Sequence, residues 1–449
     1  MEKEQFIELL KENILSIFTG SEIVGEEESS PRDALVAQGV GGTILVKFHK
    51  SDLYRIIIKR VQPFKAFEVA LIKSIISELV VLYAHDLGND YYNSLQEFVI
   101  EKAICKSISD RCYQTLLDIF NILKTWGRRT YEGQKIRFGF LISHKRAPKG
   151  TNVNLHIRNF LSYDFSALVS DGINTCTVLS SDGYVIGYTE VPPKYAGNDL
   201  YAPYDFLGIA KLSYGNRIGV VLEDNGDILI FHDRNLVFAK RNGEWIRFSH
   251  EEIVYRLQDK TQETTLDTRK AIYISALDTS FARTGGAVVH VSKGEEENVL
   301  KHIDVNDLMI EEYYLMKCNQ NIQLSFFSSI NNGVSNIVPY EEFLRSERCV
   351  KTANLRRVVA GRKFFELPRK LRQEIMSIDG ATVIDSQGRI IAAGAIIMIE
   401  AGSMGGGRLA ATKTLARYGV ALKISADGGI EGFKMDKTKL RPVPIFVLG

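Results

Sequence analysis

Residues 379–399 read DGATVIDSQGRIIAAGAIIMI, two apolar runs on either side of a short polar stretch. The polar stretch, SQG at 386–388, has the composition of a tight turn between antiparallel strands. We therefore predict strands over 381–385 and 389–399, joined as a hairpin. Both runs are apolar at most positions, which is typical of strands that are covered on both faces.

The segments around this hairpin alternate between helical and strand patterns. On its N-terminal side, apolar spacing predicts helices over 265–282, near 304–317 and 340–348, and over 366–378, with a strand over 285–292. On its C-terminal side we predict a helix from 408 to about 418 and strands over 419–426 and 430–434. Helices interleaved with buried strands indicate an α/β (α+β) fold with a mixed sheet, which we assign to residues 256–449.

Two regions precede this domain. Residues 1–130 are predicted to be a helical α+β region, with helices over 5–17, 64–86 and 93–126, a loop over 20–34, and strands around 42–49 and 53–60. Residues 131–255 are predicted to be β-rich, with a β-meander over 174–248. The turn signals of this meander are SDG at 181–183, DNGD at 224–227 and RNG at 241–243. Helical character returns over 249–280.

Composition limits the classes of protein that the chain can belong to. It has 449 residues, with 56 lysines and arginines against 54 aspartates and glutamates, so its net charge of +2 excludes a globally basic coat for nucleic acid. No run approaches 18 apolar residues, and we predict no membrane contact. The charged N-terminus lacks the apolar stretch of a secretory signal. The five cysteines are scattered without C-x-x-C spacing, which argues against a structural zinc site and a disulfide framework. We therefore predict a cytoplasmic location.

The stretch GSMGGGR at 402–408, directly before a predicted helix, is the sharpest local feature. Three consecutive glycines leave backbone N–H groups unshielded, and a helix N-terminus favours negative charge, so the stretch is typical of a phosphate cradle. Arg408 and Lys413 are expected to add positive charge there. The alternative is a tight strand-to-helix connection that binds nothing.

Two aspartates adjoin predicted strands. Asp379 precedes small residues at a strand mouth, where a carboxylate can hold a hard metal ion while a nucleotide approaches. The alternative for Asp379 is a helix-terminating turn. Asp427 follows the strand 419–426 and is either a second metal or base carboxylate or a hairpin residue.

Basic residues are concentrated in two segments, 124–149 and 351–372. Each has eight lysines and arginines against a single glutamate, so each is expected to attract either triphosphates or nucleic acid. The alternative is a solvated helix face in each case. The 124–149 segment is a candidate site for nucleic acid or a phosphorylated ligand.

The order of these segments resembles the catalytic domain of diadenylate cyclases, the nucleotide-binding domain of the DNA-integrity-scanning protein and its relatives. The similarity covers roughly residues 265–435. The matching segments are GGAVV at 285–289, DGA at 379–381, RIIAAG at 389–394, GGGRLAA at 405–411, and the strand with its acidic turn at 420–429.

The resemblance implies a reaction between two ATP molecules that face each other across a dimer, with Mg²⁺ or Mn²⁺ as cofactor. Each 3′-hydroxyl attacks the α-phosphate of the other nucleotide, which releases pyrophosphate and gives cyclic di-AMP. The resemblance implies catalytic roles for Asp379 and Arg408, and metal binding by Asp379 and Asp427. The nucleotide-binding residues that it implies are Gly286, Ala287, Gly380, Ala381, Gly405, Gly406, Gly407 and Arg408.

One stretch departs from the family pattern, which is Gly-Thr-Arg-His-Arg-Ala-Ala where this chain has GGGRLAA at 405–411. The threonine and both arginines, which bind the triphosphate in the family, are absent, and Arg408 stands at the histidine position. The glycine-rich backbone and Arg408, helped by the 351–372 cluster, are expected to replace them.

Three functions follow as hypotheses. The first is a diadenylate-cyclase-like nucleotidyltransferase that makes a second messenger under the control of an N-terminal sensor; by analogy with divergent family members that have a glycine-rich loop, it would act in phage defence. The second is a cyclase-like module that senses ATP or a cyclic nucleotide without catalysis. The third is a nucleic-acid-binding scaffold that uses the two basic segments. The first two share ATP as ligand, and the first requires self-association through the cyclase-like domain.

Overall fold

The computed structural model describes residues 2–84, 89–131, 133–162, 170–194, 199–328, 338–399, 406–436 and 438–449. The fold is mixed α/β, as predicted, with two mixed sheets and an antiparallel four-stranded sheet. The chain divides into two compact units, Met1–Glu252 and Ile253–Gly449. Within the described residues, no helix combines the length and the apolar character that a membrane span requires.

The first unit begins with a helix and a small antiparallel sheet. Their bounds are α1 (Lys3–Leu10), β1 (Glu22–Glu28), β2 (Val36–Gln38), β3 (Thr43–Val46) and β4 (Tyr54–Lys59). The strand order is β1-β4-β3-β2, and the prediction of a loop over 20–34 is wrong because β1 pairs with β4 along its length. The charged sequence EIVGEEE conceals this strand from pattern analysis, although exposed charge is a common protection of edge strands.

Three helices follow, α2 (Ala66–Tyr83), α3 (Asn89–Ile108) and α4 (Tyr113–Trp126). The prediction of one helix over 93–126 is wrong, because α3 ends at Ile108 and a new helix, α4, begins at Tyr113. The Ser109 hydroxyl accepts a hydrogen bond from the Cys112 backbone N–H at 3.2 Å. Serine side chains often bond to nearby backbone in this way and thereby start a new helix.

A seven-stranded mixed sheet occupies the rest of the first unit. The elements, with the short hairpin β5–β6 and one helix, are β5 (Thr130–Tyr131), β6 (Gln134–Lys135), β7 (Phe138–Ser143), β8 (Thr175–Leu179), β9 (Val185–Glu190), α5 (Leu207–Leu212), β10 (Arg217–Leu222), β11 (Ile228–His232), β12 (Asn235–Arg241) and β13 (Glu244–Arg247). The sheet order is β13-β12-β11-β10-β7-β8-β9. One hydrophobic core extends from Phe6 to Trp245, so residues from both predicted N-terminal regions share it.

The predicted meander is only half right. Strands β10 to β13 form an antiparallel meander, and all three predicted turn signals connect neighbouring strands. However, β8 pairs in parallel with β7, and α5 interrupts the strands, so 174–248 is not one meander. Alternation within a strand does not specify its partner, and this partner lies more than thirty residues upstream.

The second unit contains a six-stranded mixed sheet and most of the remaining helices. Its elements are α6 (His250–Arg256), which crosses the unit boundary, α7 (Leu266–Phe281), β14 (Gly286–Val291), α8 (Glu296–Leu300), α9 (Glu311–Ser328), α10 (Tyr340–Phe343), α11 (Val350–Val359), α12 (Arg369–Met376), β15 (Ala381–Ile384), β16 (Ile390–Ala395), α13 (Gly407–Leu415), β17 (Gly419–Ile424), β18 (Ile430–Asp436) and β19 (Arg441–Leu448).

The sheet order in this unit is β16-β15-β14-β17-β18-β19, with β14 and β15 parallel and the other pairs antiparallel. Every residue of β14, β15 and β16 is buried, as the apolar runs predicted. The sequence analysis did not predict α11 and β19. Strand β19 contains Pro442 and Pro444, which argue against a strand except at a sheet edge, where it lies.

Candidate functional site

The register of the second sheet brings the predicted motif segments to one edge. Ala381 lies beside Ala287 in the parallel β14–β15 pair and beside Ala395 in the antiparallel β15–β16 pair. On the other side of β14, Gly286 lies opposite Ile424, the last residue of β17. Segments that are more than 90 residues apart in sequence therefore meet where β14 and β15 begin and where β16 and β17 end.

The N-terminus of α13 lies next to this edge. The helix starts at Gly407, and Gly406 before it has φ +87°, a conformation that glycine adopts readily. Both glycines are exposed, and no atom lies within 4 Å of the position that a Cβ would take on either. Gly405 and the rest of the predicted loop 402–405 lie outside the described residues.

Arg408 reaches from α13 to the start of β14. A Cβ at Gly285 would lie 2.4 Å from Arg408 Nη1, so the guanidinium contacts bare backbone. Within the described part of the chain, this guanidinium makes no ion pair or hydrogen bond. The expectation for Lys413 is wrong, because Lys413 lies in the last turn of α13, with its ammonium 6.0 Å from the centre of the Phe433 ring.

Asp379 is exposed at the mouth of β15, and close backbone packing fixes its position. The Asp379 Oδ1 accepts a hydrogen bond from the Gly380 N–H at 3.1 Å. Gly380 has φ +103°, and a Cβ there would lie 2.6 Å from the Ala395 carbonyl oxygen. A Cβ at Gly394 would lie 3.0 Å from the Asp379 carbonyl oxygen. The DGA and AAG segments thus touch through glycines.

Three of the predicted nucleotide-binding residues lie below the surface. Gly286, Ala287 and Ala381 are buried, so their part in a site is to let the strands approach closely. A Cβ at Gly286 would lie 2.3 Å from the carbonyl oxygen of Met376, the last residue of α12. Of the predicted site residues that the structure describes, Asp379, Asp427, Gly406 and Gly407 are exposed, and Gly380 and Arg408 are half-buried.

A buried ion pair holds α12 against α7. The Asp278 carboxylate accepts hydrogen bonds from Arg369 Nε and Nη2, each at 2.7 Å, and both side chains are fully buried. Since α12 ends at Met376, three residues before Asp379, this pair also positions Asp379. Sequence reasoning assigned Arg369 to a basic surface, because a buried pair 91 residues apart leaves no local pattern.

Asp427 lies in the exposed turn between β17 and β18. Its carbonyl oxygen accepts a hydrogen bond from Arg283 Nη1 at 2.5 Å, and its Oδ1 accepts one from the Gly429 N–H at 3.4 Å. No group of three or more His, Cys, Asp or Glu side chains in the described residues could hold a metal ion. The exposed carboxylates suit a Mg²⁺ or Mn²⁺ that arrives with a triphosphate, because such an ion needs only one or two protein carboxylates.

The two basic segments are partly neutralised. In the 351–372 segment, Lys351 Nζ lies 2.6 Å from Asp307 Oδ1 and 2.7 Å from the Gly394 carbonyl oxygen, and Arg369 is buried. In the 124–149 segment, Lys124 pairs with Glu97 and Glu101. Lys351 and Arg369 therefore hold the fold together, and the expectation that the 351–372 cluster helps to bind the phosphates stays a prediction.

The described residues thus form a sheet edge lined by glycines, at which they give the Arg408 guanidinium no ion-pair partner and Asp379 is exposed. Such an arrangement can bind an anion and a hard cation together. Comparison with protein-family models, with curated proteins and with solved structures finds no match for this chain.

Proposed function

We propose that the second unit binds ATP at this edge and, in a pair of units, joins two ATP molecules into cyclic di-AMP. The observation that supports the proposal is the convergence of the DGA, AAG, GGR and β17-end segments at one sheet edge. The resemblance to diadenylate cyclases predicts that these segments meet. Their local sequence patterns alone do not predict it.

The proposed binding mode follows from the charges. The triphosphate lies at the N-terminus of α13, which begins at the exposed Gly407 and where the helix dipole is positive, and Arg408 supplies a full charge. The Asp379 carboxylate faces the same surface and holds the divalent ion together with the phosphates. The metal neutralises charge on the α-phosphate as pyrophosphate leaves.

The proposed reaction needs two units. In each half, the 3′-oxygen of one ATP forms a bond to the α-phosphorus of the other, the bond from that phosphorus to pyrophosphate breaks, and the hydroxyl proton is lost. Positioning and charge neutralisation account for most of the catalysis in such transfers. The described residues of one unit form one exposed edge of this kind, so we propose that self-association completes the site and that the first unit regulates it as a sensor.

A second candidate is a nucleotide sensor without turnover. It is favoured by the stretch 405–411, which lacks the threonine and both arginines of the family pattern. Under this candidate, ATP binds through Arg408 and the glycine backbone, but no pyrophosphate is released.

The test is incubation of the purified full chain with ATP and either Mg²⁺ or Mn²⁺, with products read by mass spectrometry. Cyclic di-AMP supports the proposal, provided that the Asp379→Asn variant makes none. Intact ATP under every condition, with ATP binding that Arg408→Ala removes, supports the sensor instead. If ATP does not bind at all, both candidates fail.

A further inference from the structure

Two cavities formed by described residues of the first unit differ in charge. The larger, of about 650 Å³, is lined by Arg60, Arg247 and Lys65, but each of these cations has a carboxylate partner. Arg60 and Arg247 both pair with Glu68, and Lys65 pairs with Glu251. Three further carboxylates line the same cavity, those of Asp199, Asp233 and Glu252. This cavity therefore offers no net positive charge to an anion.

The smaller cavity, of about 510 Å³, has the opposite character. Arg111, Lys145 and Arg217 line it, and no aspartate or glutamate is among the described residues that do. Within the described chain, none of these three side chains makes an ion pair or a hydrogen bond. The cavity thus combines three unneutralised cations with a concave shape of the size that small-molecule sites have.

The sheet topology explains why these cations converge. β7 lies between β10 and β8, so the strand order reverses at β7, and Lys145 follows the carboxyl end of β7 by two residues. Arg217, the first residue of β10, pairs directly with Ser143. Arg111 lies between α3 and α4. Three separate segments therefore supply the charge. Only one of the three cations, Lys145, belongs to the basic segment 124–149 that the sequence singled out.

The floor of the cavity is apolar. Leu141 and Val178 are neighbours in the parallel β7–β8 pair, and Leu141 shares its face of β7 with Ser143. Ile186 on β9 also lines the cavity. Burial is the main cause that lowers the pKa of His144, another lining residue, and the nearby Arg111 lowers it further.

We propose that this cavity binds a small phosphate ester, with its phosphate on Arg111, Lys145 and Arg217 and its organic part against Leu141, Val178 and Ile186. Charge-assisted bonds from arginine and lysine to phosphate are the strong contacts of such a site. A compact cavity suits a small ligand, whereas a polynucleotide needs cations spread along its backbone. The site is separate from the proposed ATP edge and does not depend on it.

The experiment is calorimetric titration of the full chain with AMP and with inorganic pyrophosphate at low ionic strength. The titrations use the Arg408→Ala background, so that the second unit contributes little. We expect Arg217→Ala and Lys145→Ala each to weaken binding by about tenfold or more, since a hydrogen bond to a charged group is lost. Lys149→Ala is the matched control, because Lys149 belongs to the same basic segment, is exposed and does not line the cavity.

The result that supports the proposal is weakened binding in the two cavity variants with unchanged binding in Lys149→Ala, and partial recovery in Arg217→Lys. Equal binding in all variants overturns it, as does the absence of binding for both probes. A fluorescein-labelled single-stranded 20-mer is titrated in parallel. The proposal is wrong if AMP and pyrophosphate do not bind but the 20-mer does, and if Lys149→Ala weakens 20-mer binding as much as Arg217→Ala and Lys145→Ala do. The surface is then a nucleic-acid interface.

Discussion

The guanidinium of Arg408 lies against the backbone of Gly285, so close that a methyl group on residue 285 would fall 2.4 Å from Nη1. This contact joins the start of β14 to the first turn of α13. Gly285 also has φ +70°, which an alanine adopts only with strain. The glycine therefore serves both the turn and the side chain that rests on it.

Gly285→Ala is expected to displace Arg408 and to weaken ATP binding about as much as Arg408→Ala does, by about tenfold or more. The two changes together should weaken binding little beyond either alone, since both remove the same contact. ATP titration of the single and double variants measures this coupling.

Gly294→Ala is the matched control for that series. Gly294 has φ +85°, so it suffers similar backbone strain, but no atom lies within 4 Å of its Cβ position. It should lose about 1–2 kcal/mol of stability from the left-handed backbone alone, without the contact on Arg408 that Gly285→Ala adds, and its ATP binding should stay intact. Equal loss of ATP binding in both glycine variants would mean that backbone strain, and not displacement of Arg408, weakens ATP binding.

Asp379→Asn and Asp427→Asn should differ in their effects on turnover. Asn keeps the volume of the side chain, so only the charge is lost. Asp379 lies at the sheet edge beside Gly380 and Gly394, whereas the Asp427 side chain bonds within its own hairpin turn. We expect product formation to disappear in Asp379→Asn and to fall modestly, if at all, in Asp427→Asn. Mass spectrometry of the products measures both. The reverse order would place the metal at the β17–β18 turn instead.

The helices, strands and turns of the candidate site could be predicted from the sequence, but the contacts of individual side chains could not. The turn signals, the buried strands β14 to β16 and the helix after the glycines are local patterns, and the structure has them. Whether Lys413 lies near the phosphate end, or Arg369 on the surface, depends on packing between segments far apart in sequence. Both expectations were wrong for that reason.

The same distinction holds for the fold. Three of the features that were missed or misread in the sequence are a charged edge strand, β1, a strand with two prolines, β19, and a serine-capped break between α3 and α4. In each of them tertiary pairing or a side-chain cap outweighs local propensity. The parallel pairing of β7 with β8 is likewise a non-local choice.

Breaking the pair of Asp278 and Arg369 should destabilise the second unit strongly. Asp278→Asn removes the negative charge to which Arg369 Nε and Nη2 both donate hydrogen bonds, and breaking a buried ion pair in this way costs about 3–5 kcal/mol. Since both tryptophans lie in the first unit, the readout is hydrogen–deuterium exchange in peptides that cover β14 and β15. Lys293→Ala, which breaks the exposed pair with Glu263, should leave exchange unchanged. Unchanged exchange in Asp278→Asn would show that water reaches Arg369.

Glu68→Gln should destabilise the first unit by a similar amount, about 3–5 kcal/mol, because Arg60 and Arg247 share this one buried carboxylate. Burial alone would raise the pKa of Glu68, but Arg247 and Arg60 outweigh it, so the pKa is lowered. The carboxylate therefore stabilises the fold above the ordinary pKa of 4.5, and this contribution is lost as the pH falls through the lower folded value.

Urea denaturation followed by tryptophan fluorescence measures this difference, because Trp126 and Trp245 are both buried in the first unit. The Glu68→Gln deficit should be largest near neutral pH and should shrink in acid. Glu251→Gln removes only the exposed partner of Lys65 and should behave as wild type. A deficit that is the same at every pH would assign the effect to packing and not to charge.

Glu223 should have the opposite pH dependence. It is buried beside the β10–β11 turn, where burial and the neighbouring Asp227 raise its pKa from 4.5 to about 7. Because the folded pKa is the higher one, the fold favours the protonated form. The associated stability is complete below pH 4.5 and is lost as the pH rises through about 7.

Glu223→Gln mimics the protonated carboxyl and should make the first unit more stable than wild type at pH 8, by up to about 3 kcal/mol. At pH 4 the two proteins should differ little, since both are then uncharged at residue 223. Urea denaturation with tryptophan fluorescence at the two pH values measures the change. Glu244→Gln, in the exposed β12–β13 hairpin, controls for the loss of one negative charge and should shift stability little at either pH. If Glu223→Gln is less stable than wild type at pH 8, the fold stabilises the ionised carboxylate, with Arg241 as the nearby cation, and the pKa of Glu223 is not raised.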